Sequence, residues 1–353
     1  GTTGSGKTGS SSAILLRELN LMDSQVIMLD PLGNCVNLVN ELGEERASYN
    51  PLSMDSLRIN PVEMIHANDA EQSAHLTVIL QMLMGRELSE AESIAVDRVV
   101  PMIYEGITPD TPPSNQPRLE QLCRALQFGL SGAESVVQAG NELGNLMHDR
   151  YVMGTLAKNF NVATQADWRL ARDLVAFDFR GVPDEENRRQ LAYYLVLSVI
   201  QRWAHKHKRE RRRILWIDEF ARLSAEPMLA GQVAMMYKTF RTLGVGVWAL
   251  EQDLVTFVGL DQMSGSSQVD IASGLQILSN ATGVVALAHL PAGAKVLPER
   301  YPQLTQDHVQ FIQALNPKQD PNDLGRGLIL LGDSVFPIKV QLTSHELQAL
   351  GGS

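Results

Sequence analysis

The chain has 353 residues, 44% hydrophobic and 20% charged, with a net charge of −10. That length is one large domain or two with a sizeable core, and the acidic balance excludes a generic nucleic-acid surface while leaving a local basic groove open. Cys35 and Cys123 form no C-x-x-C pair, which argues against a disulfide framework or a zinc site and fits a reducing cytosol; no apolar run reaches a membrane span, and no signal peptide is visible.

The first ten residues, GTTGSGKTGS, carry G-x-x-x-x-G-K-[ST] in Gly1, Gly6, Lys7 and Thr8. This is the phosphate-binding loop. Glycine lets backbone N–H groups turn inward around an anion, and the helix that follows adds its positive end. The cradle is expected from Gly1, Thr3, Gly4, Ser5, Gly6, Lys7, Thr8 and Gly9. Lys7 would reach the β- and γ-phosphates of ATP and the Thr8 hydroxyl would ligate Mg²⁺. In this architecture a strand feeds the loop, so the N-terminal strand is expected before Gly1 and the chain reads as a fragment.

Ala13 to Leu19 reads as the first helix, and SQVIMLDP as a buried parallel strand ending at Asp30-Pro31. From about Pro61 to His148 the pattern is helical only. Asn68 with Glu71, and Ser89 with Glu92, are helix-start pairs. Leu76, Ile79, Leu80, Leu83 and Met84 make one apolar face, Pro101 should kink or end its helix, and TPDTPPSNQP is a break before a helix starting at Leu119.

Strands return with DLVAFDF, RILWIDEF, VGVWAL, GVVALAHL and GLILLGD, with a long helix over Asn187 to Trp203. VFPIKVQL alternates and carries Pro337, which suits an edge strand. The expected fold class is α/β, with a mostly parallel central sheet and an inserted all-helical subdomain. The expected division is 1–60 as the first part of the core, 61–150 as the insertion and 151–353 as the remainder.

Hydrolysis needs a carboxylate for Mg²⁺ and a group that orients the attacking water. ILWIDE supplies both at the carboxyl end of a strand, where ligands of open α/β sheets bind. Asp218 is the expected metal ligand and Glu219 the water-orienting group; Asp178, ending LVAFDF, is the rival of Asp218 but has no second acid beside it. Gln252, after the next strand, is the candidate for contacting the γ-phosphate. Arg241 and Arg326 are two candidates for an arginine that neutralises developing charge from a neighbouring subunit. The run HKHKRERRR, His205 to Arg213, reads as a solvated helix end ahead of a nucleic-acid or lipid contact. His205 and His207 have no partner cysteines for a metal.

In order, GTTGSGKT, IMLDPLGN, a helical insertion near INPVEM, LWIDEF, YKTFRTLG followed by EQD, and GRGLIL occupy most of the chain. This set resembles the TraC-like ATPases of type IV secretion and conjugation, in the HerA/FtsK superfamily of P-loop ATPases. Glu251 precedes Gln252 where the family has threonine, and Thr242 follows Arg241 where the family has a basic residue. The resemblance implies a RecA-like P-loop NTPase core, ATP and Mg²⁺ as cofactors, and a homo-hexamer with shared sites. It also implies a cytoplasmic, peripheral place at the inner membrane beside secretion-machine subunits, powering pilus assembly or substrate export. The runner-up is a DNA-translocating ATPase or conjugative coupling protein, with nucleic acid as partner. A nucleotide-binding scaffold without turnover stands further off, because Glu219 argues against it, and a small-molecule kinase further still.

Overall fold

The computed structural model describes residues 6–165, 168, 170–183, 188–208, 210–220, 227–251, 281–288, 294, 297–298 and 301–350. The chain divides into two compact units, one of 1–50, 169–178 and 209–353, the other of 51–168 and 179–208.

The first unit is built on a parallel sheet. Helix α1 (Lys7–Leu21) leads into β1 (Ser24–Asp30), then α2 (Val36–Arg46) and β2 (Ala47–Ser53). Further along the chain come β3 (Leu174–Gly181), β4 (Arg212–Ile217), and a helix over Pro227–Leu243 that precedes β5 (Val245–Ala249). The strand order is β2-β3-β1-β4-β5. β1 runs parallel to both β3 and β4, and β4 parallel to β5. Every residue of β1 is buried, which is why its sequence is apolar without alternation. Leu15, Leu16 and Leu19 of α1 pack on Val26, Met28, Ile214 and Trp216. Each such side chain contributes roughly 1.5–3 kcal/mol on burial, so this face fixes α1 firmly to the sheet.

The first helix begins at Lys7 rather than Ala13, directly after Gly6. β2 is a strand that the sequence pattern does not signal; it carries Pro51 and lies at the sheet edge, where a missing N–H costs no ladder bond. GVVALAHL, GLILLGD and VFPIKVQL do not extend the parallel sheet. Their strands β6 (Gly283–Leu287), β7 (Arg326–Leu331) and β8 (Ser334–Lys339) form a separate antiparallel sheet. It has its own core of Ala286, Leu297, Tyr301, Val309, Ile312, Leu328 and Leu330. β8 lies at its edge, as Pro337 predicts.

The second unit is helical: α3 (Asp69–Met84), α4 (Glu90–Ile103), α5 (Leu119–Phe128), α6 (Glu134–Met147), the single turn α7 (Ala157–Phe160) and α8 (Arg188–Lys206). Asn68 caps α3 through the N–H groups of Ala70 and Glu71, and Ser89 with Glu92 closes a capping box on α4. α4 runs through Pro101 and ends at Ile103. This unit is wider than 61–150 because α8 packs on α3, where the ring of His75 stacks on Tyr194 with Nδ1 3.0 Å from the hydroxyl. Burial, with His66 nearby, lowers the His75 pKa to about 3, so it serves as a neutral core group. Among the described residues, no helix is long and apolar enough to cross a membrane.

Candidate functional site

Three aspartates lie on three adjacent strands of the parallel sheet, Asp30 ending β1, Asp178 within β3 and Asp218 just past β4, and their surroundings give them different work. Asp178 on β3 is the register partner of Asp30 on β1. It accepts a hydrogen bond from the Tyr49 hydroxyl. Asp30 accepts from the backbone N–H groups of Leu32 (3.1 Å), Gly33 (2.7 Å) and Cys35 (2.8 Å), so its carboxylate ties down the loop after β1. Asp218, following β4, faces Lys7. Its Oδ1 lies 3.4 Å from the ammonium, and Glu219 Oε1 lies 3.1 Å from the same nitrogen.

The convergence follows from the topology. β1 and β4 are neighbours, and α1 lies over them. Asp218 N–H donates to Leu29 O at 3.1 Å, which carries the β4 end against β1. Glu219 has φ +50°, outside the range that non-glycine residues favour. Such a backbone costs about 1–2 kcal/mol and persists only where its flanks are fixed. Here Phe220 N–H donates to Leu250 O at 3.0 Å, and Leu250 N–H to Ile217 O at 2.9 Å. The turn thereby holds Glu219 toward Lys7 instead of letting the strand continue.

On the loop side, Gly6 caps α1 with φ +82°, offers no side chain to the first helical N–H groups, and is followed by a first turn free of acids. Those donors and the helix dipole favour an anion. A Cβ at Gly6 would fall 3.0 Å from Gly325 N, so the glycine is required by space as well as by φ. Thr8 stands exposed in the first turn. These groups fit a polyphosphate, and the oxygens of Thr8 and Asp218 fit a hard cation. Among the described residues no group of three or more His, Cys, Asp or Glu could hold a metal by itself. Mg²⁺ is commonly held by one or two carboxylates together with phosphates and water.

Of the remaining residues, Arg326 bonds to Asp323 Oδ1 at 2.9 Å and lies over the Phe311 ring, while its neighbour Gly325 abuts Gly6. Arg241 is exposed in the last turn of its helix. Gly1, Thr3, Gly4, Ser5 and Gln252 lie outside the described residues. The three arginines that end the basic run are taken up inside the unit. Arg211 meets Asp173 and the Ser24 carbonyl, Arg212 meets Glu18, and Arg213 meets Gln25 and Glu210.

Two residues not singled out from the sequence belong to this site. Asn34 Nδ2 donates to Asp218 Oδ2 at 3.2 Å, and Asp30 fixes the loop that carries it. The only sequence signal is the turn-forming DPLGN itself. Cys35, next to it, is no nucleophile, since burial and the adjacent Asp30 push its thiol pKa far up.

No family model and no curated protein matches the sequence. Solved structures do match in fold. VirB4 of Thermoanaerobacter pseudethanolicus superposes with a TM-score of 0.76 at 19% identity, over 99% of this chain and 89% of that one. The bacterial conjugative coupling protein TrwBdeltaN70, in its trigonal form with sulphate, gives a TM-score of 0.57 at 13% identity, over 98% and 85% of the two chains. Its unbound monoclinic form gives 0.53 at 13% identity, over 99% and 86%. The chain therefore has the RecA-like P-loop α/β fold that the family resemblance implies.

Proposed function

We propose that the chain is an ATP-hydrolysing motor subunit of a type IV secretion or conjugative-transfer machine. The observation that carries this is the meeting of Lys7, the first residue of α1 after Gly6, with both Asp218 and Glu219. The fold shared with VirB4 supports the choice of machine.

In this reading the N–H groups of the glycine loop and of the first turn of α1 bind the phosphates. Lys7 exchanges its carboxylate partners for phosphate oxygens, and Thr8 with Asp218 would hold Mg²⁺. Bound Mg²⁺ neutralises charge developing on the phosphates. Glu219 accepts a proton from the attacking water and orients it. Gln252 contacts the γ-phosphate, and Arg241 or Arg326 serves a neighbouring subunit of a homo-hexamer. The protein works at the cytoplasmic face of the inner membrane beside other secretion subunits.

The second reading is a DNA-translocating motor or coupling protein, which the likeness to TrwBdeltaN70 favours. Against it stand the net charge of −10 and the arginines at 211, 212 and 213, each engaged within the unit. ATP turnover measured with and without duplex and single-stranded DNA separates the two. Turnover indifferent to DNA supports the first reading; DNA-stimulated turnover that falls steeply with salt supports the second; no turnover overturns both.

A further inference from the structure

Asp218 has two oxygens with different partners. Oδ1 receives Lys7, the residue that must move when a phosphate arrives. Oδ2 receives the amide of Asn34 at 3.2 Å. Asn34 sits on a loop with little freedom: the fully buried carboxylate of Asp30 takes three of its N–H groups, and Gly33 turns through φ +73°. The amide donor is thus presented at a fixed point beside the end of β4.

We propose that Asn34 is a positioning residue for Asp218, a role that rests on the nucleotide-site reading above. Once Lys7 turns to phosphate, the Asn34 amide remains on Oδ2 and keeps Oδ1 aimed at the cradle. A neutral donor suits this place. A cation there would offset the negative charge that a metal requires, and a second carboxylate would compete with Asp218 for the metal or force a proton onto the pair. Outer partners of metal-binding carboxylates commonly change metal affinity by about 10–100-fold when removed.

The test is titration of the full chain with a fluorescent ATP analogue (mant-ATP), in EDTA and in Mg²⁺, for the parent protein, Asn34→Ala and Asn34→His. Histidine, kept neutral by running the titrations at about pH 8.5, places Nδ1–H about where the amide Nδ2–H lies. Asn34→Ala is expected to bind as the parent does in EDTA and to lose about tenfold of the gain that Mg²⁺ brings, with Asn34→His recovering much of it. Melting temperatures of the free proteins confirm that both variants are folded. A parent protein with no Mg²⁺-dependent gain overturns the nucleotide-site reading and the Asn34 role with it. A parent gain that Asn34→Ala keeps in full overturns the Asn34 role alone, as does an equal loss of affinity in EDTA and in Mg²⁺.

Discussion

Lys7 Nζ donates to Glu219 Oε1 at 3.1 Å, across 212 positions of sequence. Both side chains are largely shielded from water, as is that of Asp218, which shares the same ammonium. Without nucleotide, Lys7 is therefore a structural cation for two acids that would otherwise repel each other. Lys7→Met should destabilise the nucleotide-free protein by about 2 kcal/mol, the scale of a lost charged hydrogen bond. Adding Glu219→Gln to Lys7→Met should restore part of that loss. Urea midpoints of the parent, both single variants and the double variant check this coupling.

Gly325 joins the antiparallel sheet to the phosphate loop. Its φ is +71°, and a Cβ there would lie 2.5 Å from Val340 O and 3.0 Å from Ser10 Oγ. Gly325→Ala should cost about 1–2 kcal/mol from the left-handed backbone alone, with the clash added. Because Gly325 also borders Gly6, the same variant should weaken nucleotide binding. A thermal melt and a nucleotide titration read the two effects, and loss of stability with unchanged affinity would separate the sheet from the loop.

What was legible in the sequence divides along physical lines. The strand that runs into Asp218 and Glu219 was legible because its apolar run stops at two acids, and buried strands such as VIML show their apolar run. β2 was not, since ASYNPLS has no strand period and gains its place by lying beside β3. The strands at 283–287, 326–331 and 334–339 could be read as strands, but pairing partners are not written in a period, so their separate sheet emerged only in three dimensions. The contacts of Asp30 and Asn34 were hidden for the same reason: the Asn34 amide meets an acid 184 positions away. The left-handed turn at Glu219 is a tertiary imposition against residue preference.

The short C-terminal helix at Ser344–Ala349 is fastened to α1 through Arg17, which donates to both carboxylate oxygens of Glu346 at 2.7 and 2.8 Å. The Arg17 hydrogen bond, chiefly, holds the Glu346 pKa down to about 2 from its ordinary 4.5. A depressed acid contributes stability that is complete above its unfolded pKa and vanishes as pH falls through the folded one. The stability gap between the parent and Glu346→Gln should therefore be full at pH 7 and close between about pH 4.5 and pH 2. Denaturant midpoints across that range test it; a constant gap would show that the carboxylate charge is not what fastens the helix.

Arg211 holds Asp173 and the Ser24 carbonyl at the start of the parallel sheet. Arg211→Ala should lower the melting temperature and leave any affinity for DNA unchanged. Loss of DNA binding without loss of stability would instead make the basic run a nucleic-acid contact.

The joint grip of the glycine loop and the Asp218-Glu219 pair on one nucleotide is tested most directly by Glu219→Gln. The amide keeps the size of the side chain and abolishes its capacity to take a proton. Nucleotide binding should stay within about twofold of the parent while ATP turnover falls by roughly a hundredfold or more, the scale of a lost general base. Turnover equal to the parent's would contradict the assignment of Glu219 and, with it, the hydrolytic motor.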